Sequence, residues 1–243
     1  MAASARCGGG EVYGRGPRSI GLWPTNDGLT MSYIAWPVKE FNTFRSNIEA
    51  NVMSTFDLVP ELGQRMRDGR RVEKFVGTAD LPSYFRKPYG SGWALVGDAG
   101  LVKDPITGQG ISAAFRDAEL LTEALDRGLS GQQPLTTALA GYEQQRNAAE
   151  LPIYQFTLEL ASFVPPALEQ QLLFAALQHN QAATDQFFGM FTGAVPMSEF
   201  FSTKNLFKII GARGMLKIMT HKMRQPKTKT EQPQTTPSSV TVG

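Results

Sequence analysis

The stretch from Trp93 to Asp117, WALVGDAGLVKDPITGQGISAAFRD, has the residue types and spacing of a binding site. An apolar run, Trp93-Ala94-Leu95-Val96, ends in Gly97-Asp98. A carboxylate at neutral pH only accepts hydrogen bonds. Asp98 would repel a phosphate, so it must face a sugar-like hydroxyl or backbone N–H groups, or else cap the turn that follows. Gly108 and Gly110 come next. Glycine lets a flat ligand approach the backbone because no Cβ stands in the way. The first N–H groups of a helix starting near Gly110 have no internal partner and carry partial positive charge.

Such groups stabilise a partly negative oxygen or an anionic ring. A hydroxylated chain near Asp98 and an electron-rich carbonyl near Gly110 suit the ribityl chain and pyrimidine edge of a flavin. Reduction places negative charge on that edge, so a helix N-terminus there would favour the reduced form. An ordinary strand–loop–helix with well-placed glycines has the same spacing.

The elements that must position these residues are legible as patterns. A short apolar run between glycines fits a strand buried on both faces, with Asp98 beyond its carboxyl end. Ile111, Ala114, Phe115, Ala118, Leu121 and Leu125 make an apolar stripe, predicting a helix over 111–127. Upstream, Ile20–Trp23 and Leu29–Trp36 flank Thr25-Asn26-Asp27-Gly28, the pattern of a β-hairpin. Phe41, Phe44, Ile48, Val52 and Phe56 recur at helical spacing, and Pro60 divides that region into two short helices. Val72–Val76 reads as a strand. Tyr84, Phe85, Arg86 and Tyr89 sit in a loop, where they face solvent or a ligand. Further helices are expected over 135–149, 152–163, 166–179, 182–191 and 202–219. The stretch from Gln225 is polar and Pro-rich, with almost nothing to bury.

Composition narrows the function classes. The chain has 243 residues, 42% of them hydrophobic, and a net charge of +2. No strong overall field points to nucleic acid or an acidic membrane. The late cluster Lys204, Lys208, Arg213, Lys217, Lys222 and Arg224 reads as a solvated helix face. Cys7 is the only cysteine, so no internal disulfide and no cysteine metal site is expected. His179 and His221 have no ligand spacing around them. No apolar run is long enough to span a membrane, and the N-terminus lacks a signal-peptide core. A cytoplasmic location is the default expectation.

The motif resembles the second flavin-contact motif of FAD-dependent monooxygenases of the aromatic-hydroxylase type, in the branch near geranylgeranyl reductases and halogenases. The residues that carry the resemblance are Gly97-Asp98-Ala99, Asp104-Pro105, Gly108-Gln109-Gly110 and Asp117-Ala118. It implies an α+β chain with part of an α/β FAD-binding fold. Under it, 18–92 is part of a substrate-domain sheet with helices, 93–130 the strand–loop–helix, and 131–220 a helical region. Disordered ends are expected at 1–17 and 221–243. FAD is the implied cofactor, NAD(P)H the implied reductant, and a small organic molecule the implied substrate. The resemblance assigns FAD contacts to Gly97, Asp98, Pro105, Gly108, Gln109, Gly110 and Ile111, and gives Asp117 the task of holding helix and loop in place. No residue is an obvious general base, which suits chemistry carried by the flavin.

The family's phosphate-binding strand and GxGxxG turn have no counterpart here. Gly8-Gly9-Gly10 follows no strand, and Gly14-Arg15-Gly16 leads to Ser19 where the last glycine should fall. The reading is therefore of an N-terminally truncated flavoenzyme that binds FAD weakly or not at all alone. The alternatives are a non-catalytic helical interaction module, or, in complete form, a halogenase or reductase.

Overall fold

The structure is a computed structural model, and it describes residues 9–224. The expected tail from Gln225 and the first residues lie outside the described residues. The fold is α+β: helices with small antiparallel sheets. The chain divides into two compact units, the first ending at Pro165 and the second starting at Pro166.

In the first unit β1 (Glu11–Gly14), β2 (Ser19–Pro24) and β3 (Thr30–Ala35) form an antiparallel sheet in that order. β1 falls within 1–17, where disorder was expected; its backbone pairs with β2, so that Tyr13 lies opposite Ile20. The expected hairpin links β2 to β3. Asp27 and Gly28 adopt φ of 56° and 67° in its turn. Side chains alternate across the sheet, and Ile20, Leu22 and Ile34 pack on α2 (Ile48–Phe56) and α3 (Pro60–Asp68) through Val52, Phe56, Leu62 and Met66. The opposite face carries Trp23, Met31 and Tyr33. α1 (Phe41–Ser46) precedes these helices. Three helices stand where two were expected, because Asn47 leaves helical geometry and caps α2, accepting from the Ala50 N–H at 3.2 Å. Val72–Val76 forms no strand.

The remaining strands are two-residue ribbons: β4 (Tyr84–Phe85), β5 (Tyr89–Gly90), β6 (Trp93–Ala94) and β7 (Leu101–Val102). β4 pairs with β7 and β5 with β6, all antiparallel. The run at 93–96 is thus not a strand buried on both faces. Only Trp93 and Ala94 pair, and Trp93 is exposed.

α4 (Gly110–Leu129) packs along α5 (Leu135–Ala161) through Ala124, Ala138 and Tyr142. α5 is continuous where two helices were expected. It runs through Pro152, which lacks the N–H that would bond back one turn. The helical region expected from residue 131 is therefore divided, with α5 belonging to the first unit.

The second unit contains α6 (Leu168–Leu177), α7 (Gln181–Thr192), α8 (Met197–Phe200) and α9 (Thr203–Arg224). Its core joins Leu173, Leu177, Ala183, Met190 and Phe200. Among the described residues no helix is long and apolar enough to cross a membrane.

Candidate functional site

One face of α5 sets the geometry of the stretch singled out by sequence. Ala138, Tyr142, Arg146, Glu150, Ile153 and Thr157 recur every three or four residues and are all buried. Four of the six are polar, and each reaches the loop beyond α5. The Tyr142 hydroxyl donates to the Leu95 carbonyl at 2.7 Å. Arg146 donates to the carbonyls of Arg86 at 2.9 Å and Gly100 at 3.0 Å, and its guanidinium lies over the Phe85 ring. Glu150 accepts from Lys103 Nζ at 2.5 Å and also from Arg116 of α4. Thr157 and Thr107 share a hydroxyl hydrogen bond of 2.8 Å.

Asp117 completes this cluster from α4. It is fully buried, with Oδ2 3.6 Å from Arg146 Nε, an ion pair too long for a hydrogen bond. The same oxygen accepts from the Gly97 N–H at 3.3 Å. Burial, above all, pushes the Asp117 carboxyl above its ordinary value, with Arg146 pulling it down. Burial and then the Asp117 charge push Tyr142 up to about 12.

The stretch itself is a chain of short turns on this platform. Gly97 has φ 57°, and a Cβ there would stand 3.0 Å from the Ala114 Cβ, so glycine is needed both for conformation and for packing on α4. Asp98 sits in the turn Gly97–Ala99 rather than at the end of a buried strand. Its side chain is exposed, and its carbonyl accepts from the Tyr84 hydroxyl at 2.5 Å. Pro105 opens the turn Pro105–Thr107, capped by the Asp104 side chain accepting from the Ile106 N–H at 2.9 Å. Gly108 closes that turn at φ 65°. Gln109 is the N-cap of α4 but supplies no side-chain cap, so the first N–H groups of the helix are not covered by it. A Cβ on Gly108 or Gly110 would meet nothing.

The structure brings Gly97 and Gly108–Ile111 to the same end of α4, with Pro105 in the adjoining turn. It does not tie the Asp98 carboxylate to them. Ile111 is 76% exposed. Tyr84, Phe85 and Arg86 hold the turns: Arg86 donates to the Ala99 carbonyl at 3.0 Å, and Phe85 meets Tyr154 edge to face. The outer face of the first sheet lies near the Asp104 turn. Burial, then the Asp104 charge, push Tyr33 up to about 12. Trp36 belongs to the other side of the structure, donating to Thr55 Oγ1 at 2.9 Å.

Sequence reasoning missed Lys103, Arg116, Tyr142, Arg146 and Glu150. The signal was present in the spacing of Tyr142, Arg146 and Glu150, which places three polar residues on the face of Ala138 and Ile153.

No family model and no curated protein matches this chain. A solved structure similar to it is that of P. aeruginosa PqsL in complex with 2-aminobenzoylacetate. The two are 21% identical, with a TM-score of 0.46 over 75% of this chain and 45% of that one. The chain thus spans less than half the length of that protein, at a similarity too low to argue from. These findings correct the family resemblance. Membership of the aromatic-hydroxylase-type monooxygenases, near the geranylgeranyl reductases and halogenases, is not upheld, because no family model recognises the motif on which it rested.

Proposed function

We propose that the turns from Gly97 to Ile111 bind a flavin by its ring and ribityl chain, and that the chain is part of a flavin-dependent oxidoreductase. One observation carries this reading. The uncapped N-terminus of α4 and the two open glycines beside it adjoin a buried ionic platform that fixes the neighbouring backbone at Arg86, Gly97 and Gly100. Helix N–H groups without a side-chain cap, beside open space, suit a flat ring whose pyrimidine edge accepts hydrogen bonds and becomes negative on reduction. The residues fit this part of the cofactor. Gly108, Gln109, Gly110 and Ile111 would face the pyrimidine edge, Pro105 the ring and Asp98 the ribityl hydroxyls, with Gly97 holding the turn. For the ADP part of FAD, no strand–glycine turn–helix unit exists among the described residues.

A flavin bound here would supply electron transfer and oxygen chemistry to a small organic substrate, with NAD(P)H as reductant and monooxygenation as the favoured outcome. The chain would orient the ring and hold charge at its edge. Trp23, Met31 and Tyr33, on the outer sheet face, would flank the substrate.

The test is flavin absorbance on adding FMN or FAD to the purified chain. The expected result is a saturable spectral change in flavin excess that is lost on desalting. It should be equal for FMN and FAD, because no ADP-binding unit exists among the described residues, and abolished by Gly108→Val. No spectral change with either flavin would end the reading.

A further inference from the structure

The net charge of +2 conceals an uneven distribution. α9 carries Lys204, Lys208, Arg213, Lys217, Lys222 and Arg224 and no acidic residue. Gly211, at φ 74° and ψ 170°, breaks this helix into two segments. Each uses its surface in the same way. Before the break, Leu206, Ile209 and Ile210 pack on the core, while Phe207, Lys204 and Lys208 are exposed. After the break, Gly214 and Ile218 are buried. Ala212, Leu216, Met219 and Met223 fall at the spacing of a single helical stripe on the other side. That stripe is in water: Leu216 is 62%, Met219 59% and Met223 83% exposed. Arg213 and Lys217 each follow a stripe residue, Ala212 and Leu216, by one position, and so stand beside it, about 100° round the helix.

We propose that this exposed side of α9 docks on an anionic lipid surface. The occupant follows from pairing two needs along one helix. Cations without a compensating anion in the helix need a negative partner. A parallel stripe of Leu and Met side chains needs hydrocarbon at the same depth. Nucleic acid would meet the first need and leave the stripe in water. An apolar protein groove would meet the second and strand the cations. A bilayer interface presents headgroup charge and hydrocarbon in adjacent layers, and helices that lie in it combine basic residues with exposed apolar ones. The contact is peripheral, since no described helix is long and apolar enough to cross. The inference stands independently of flavin binding.

Flotation through a density gradient tests it, because aggregates sink while vesicle-bound chain rises. The full chain should float with phosphatidylcholine vesicles containing phosphatidylserine, and not with phosphatidylcholine alone. The double variant Arg213→Glu/Lys217→Glu should lower the bound fraction about tenfold or more. Leu216→Ser/Met219→Ser, which leaves charge unchanged, should also release the chain. All four positions are exposed, and circular dichroism would show that both variants keep their helix content. A chain that stays at the bottom with anionic vesicles at low salt overturns the proposal, as does equal flotation with neutral vesicles. Unchanged binding of the serine variant would reduce the contact to surface charge and overturn the docking of the stripe. An acidic protein or a second copy as the true occupant would leave the vesicles unbound.

Discussion

The two units differ in what they bury beside their apolar side chains. The first buries Asp117, Arg146, Glu150 and Lys103 between α4, α5 and the turns at 97–107. The second buries apolar side chains, Leu173, Leu177, Ala183, Met190 and Phe200, and the half-buried Phe187 beside them meets Phe174, Phe188, Phe191 and Phe200 at centroid distances of 5.5–5.9 Å. Apolar burial is non-directional, and an apolar core tolerates rearrangement if volume is kept. Hydrogen bonds and ion pairs hold particular atoms at particular places. The desolvation they demand often cancels their Coulomb gain, so a buried ionic cluster is weak evidence for stability. What it does here is fix three backbone groups, at Arg86, Gly97 and Gly100, next to the glycine turns. Among the described residues of the second unit no charged side chain is buried.

Breaking one member of each interior should expose the difference. Arg146→Met removes a fully buried cation and leaves Asp117 with its main partner gone, while the carbonyls of Arg86 and Gly100 lose their donor. The expected cost is about 3–5 kcal/mol in urea unfolding, the range for an orphaned buried charge. Arg146→Lys should recover only part of this, because an ammonium cannot reach two carbonyls as a planar fork does. Phe200→Leu in the second unit keeps an apolar side chain at a fully buried position. It should cost about 1–1.5 kcal/mol, as hydrophobic swaps of similar size do. Equal costs would mean that the ionic cluster is no more constrained than the apolar core of the second unit.

Proton linkage sharpens the contrast, since titration should matter inside the first unit. The Asp117 carboxyl is raised chiefly by burial. The folded chain therefore holds its proton more tightly than the unfolded chain does. That contribution is fully present below the ordinary carboxylate value of about 4 and is lost as the pH rises through the raised one. Relative to Asp117→Asn, the wild type should gain stability as the pH falls from 7 towards 4, read as the difference in urea midpoints. A wild type that instead loses ground on acidification would show that the Arg146 charge outweighs burial at this site.

The smallest expected effect bears on what could be read in advance. The hairpin, the start of α4 and the helical order of the second unit were legible, because each rests on local signals: Asp27-Gly28 in a turn, Gly110 before an amphipathic run, apolar residues at helical spacing. The platform under the candidate site was not. Hydropathy gives weight to Ile111 and Phe115, so the pattern selected the stripe containing them as the buried face of α4. The buried residues are instead Ala113, Asp117 and Ala124, a neighbouring stripe of small and charged side chains that periodicity counts for little. A charged carboxylate belongs in a core only when a cation from elsewhere in the chain meets it, as Arg146 meets Asp117 and Lys103 meets Glu150, and that meeting is a tertiary fact. Phe115→Ser measures the distinction. If Phe115 were core, truncation would cost about 3–5 kcal/mol. At 75% exposed it should change stability by no more than about 0.5 kcal/mol, the usual range for a surface position. A multi-kilocalorie loss would mean that this face of α4 is covered in solution.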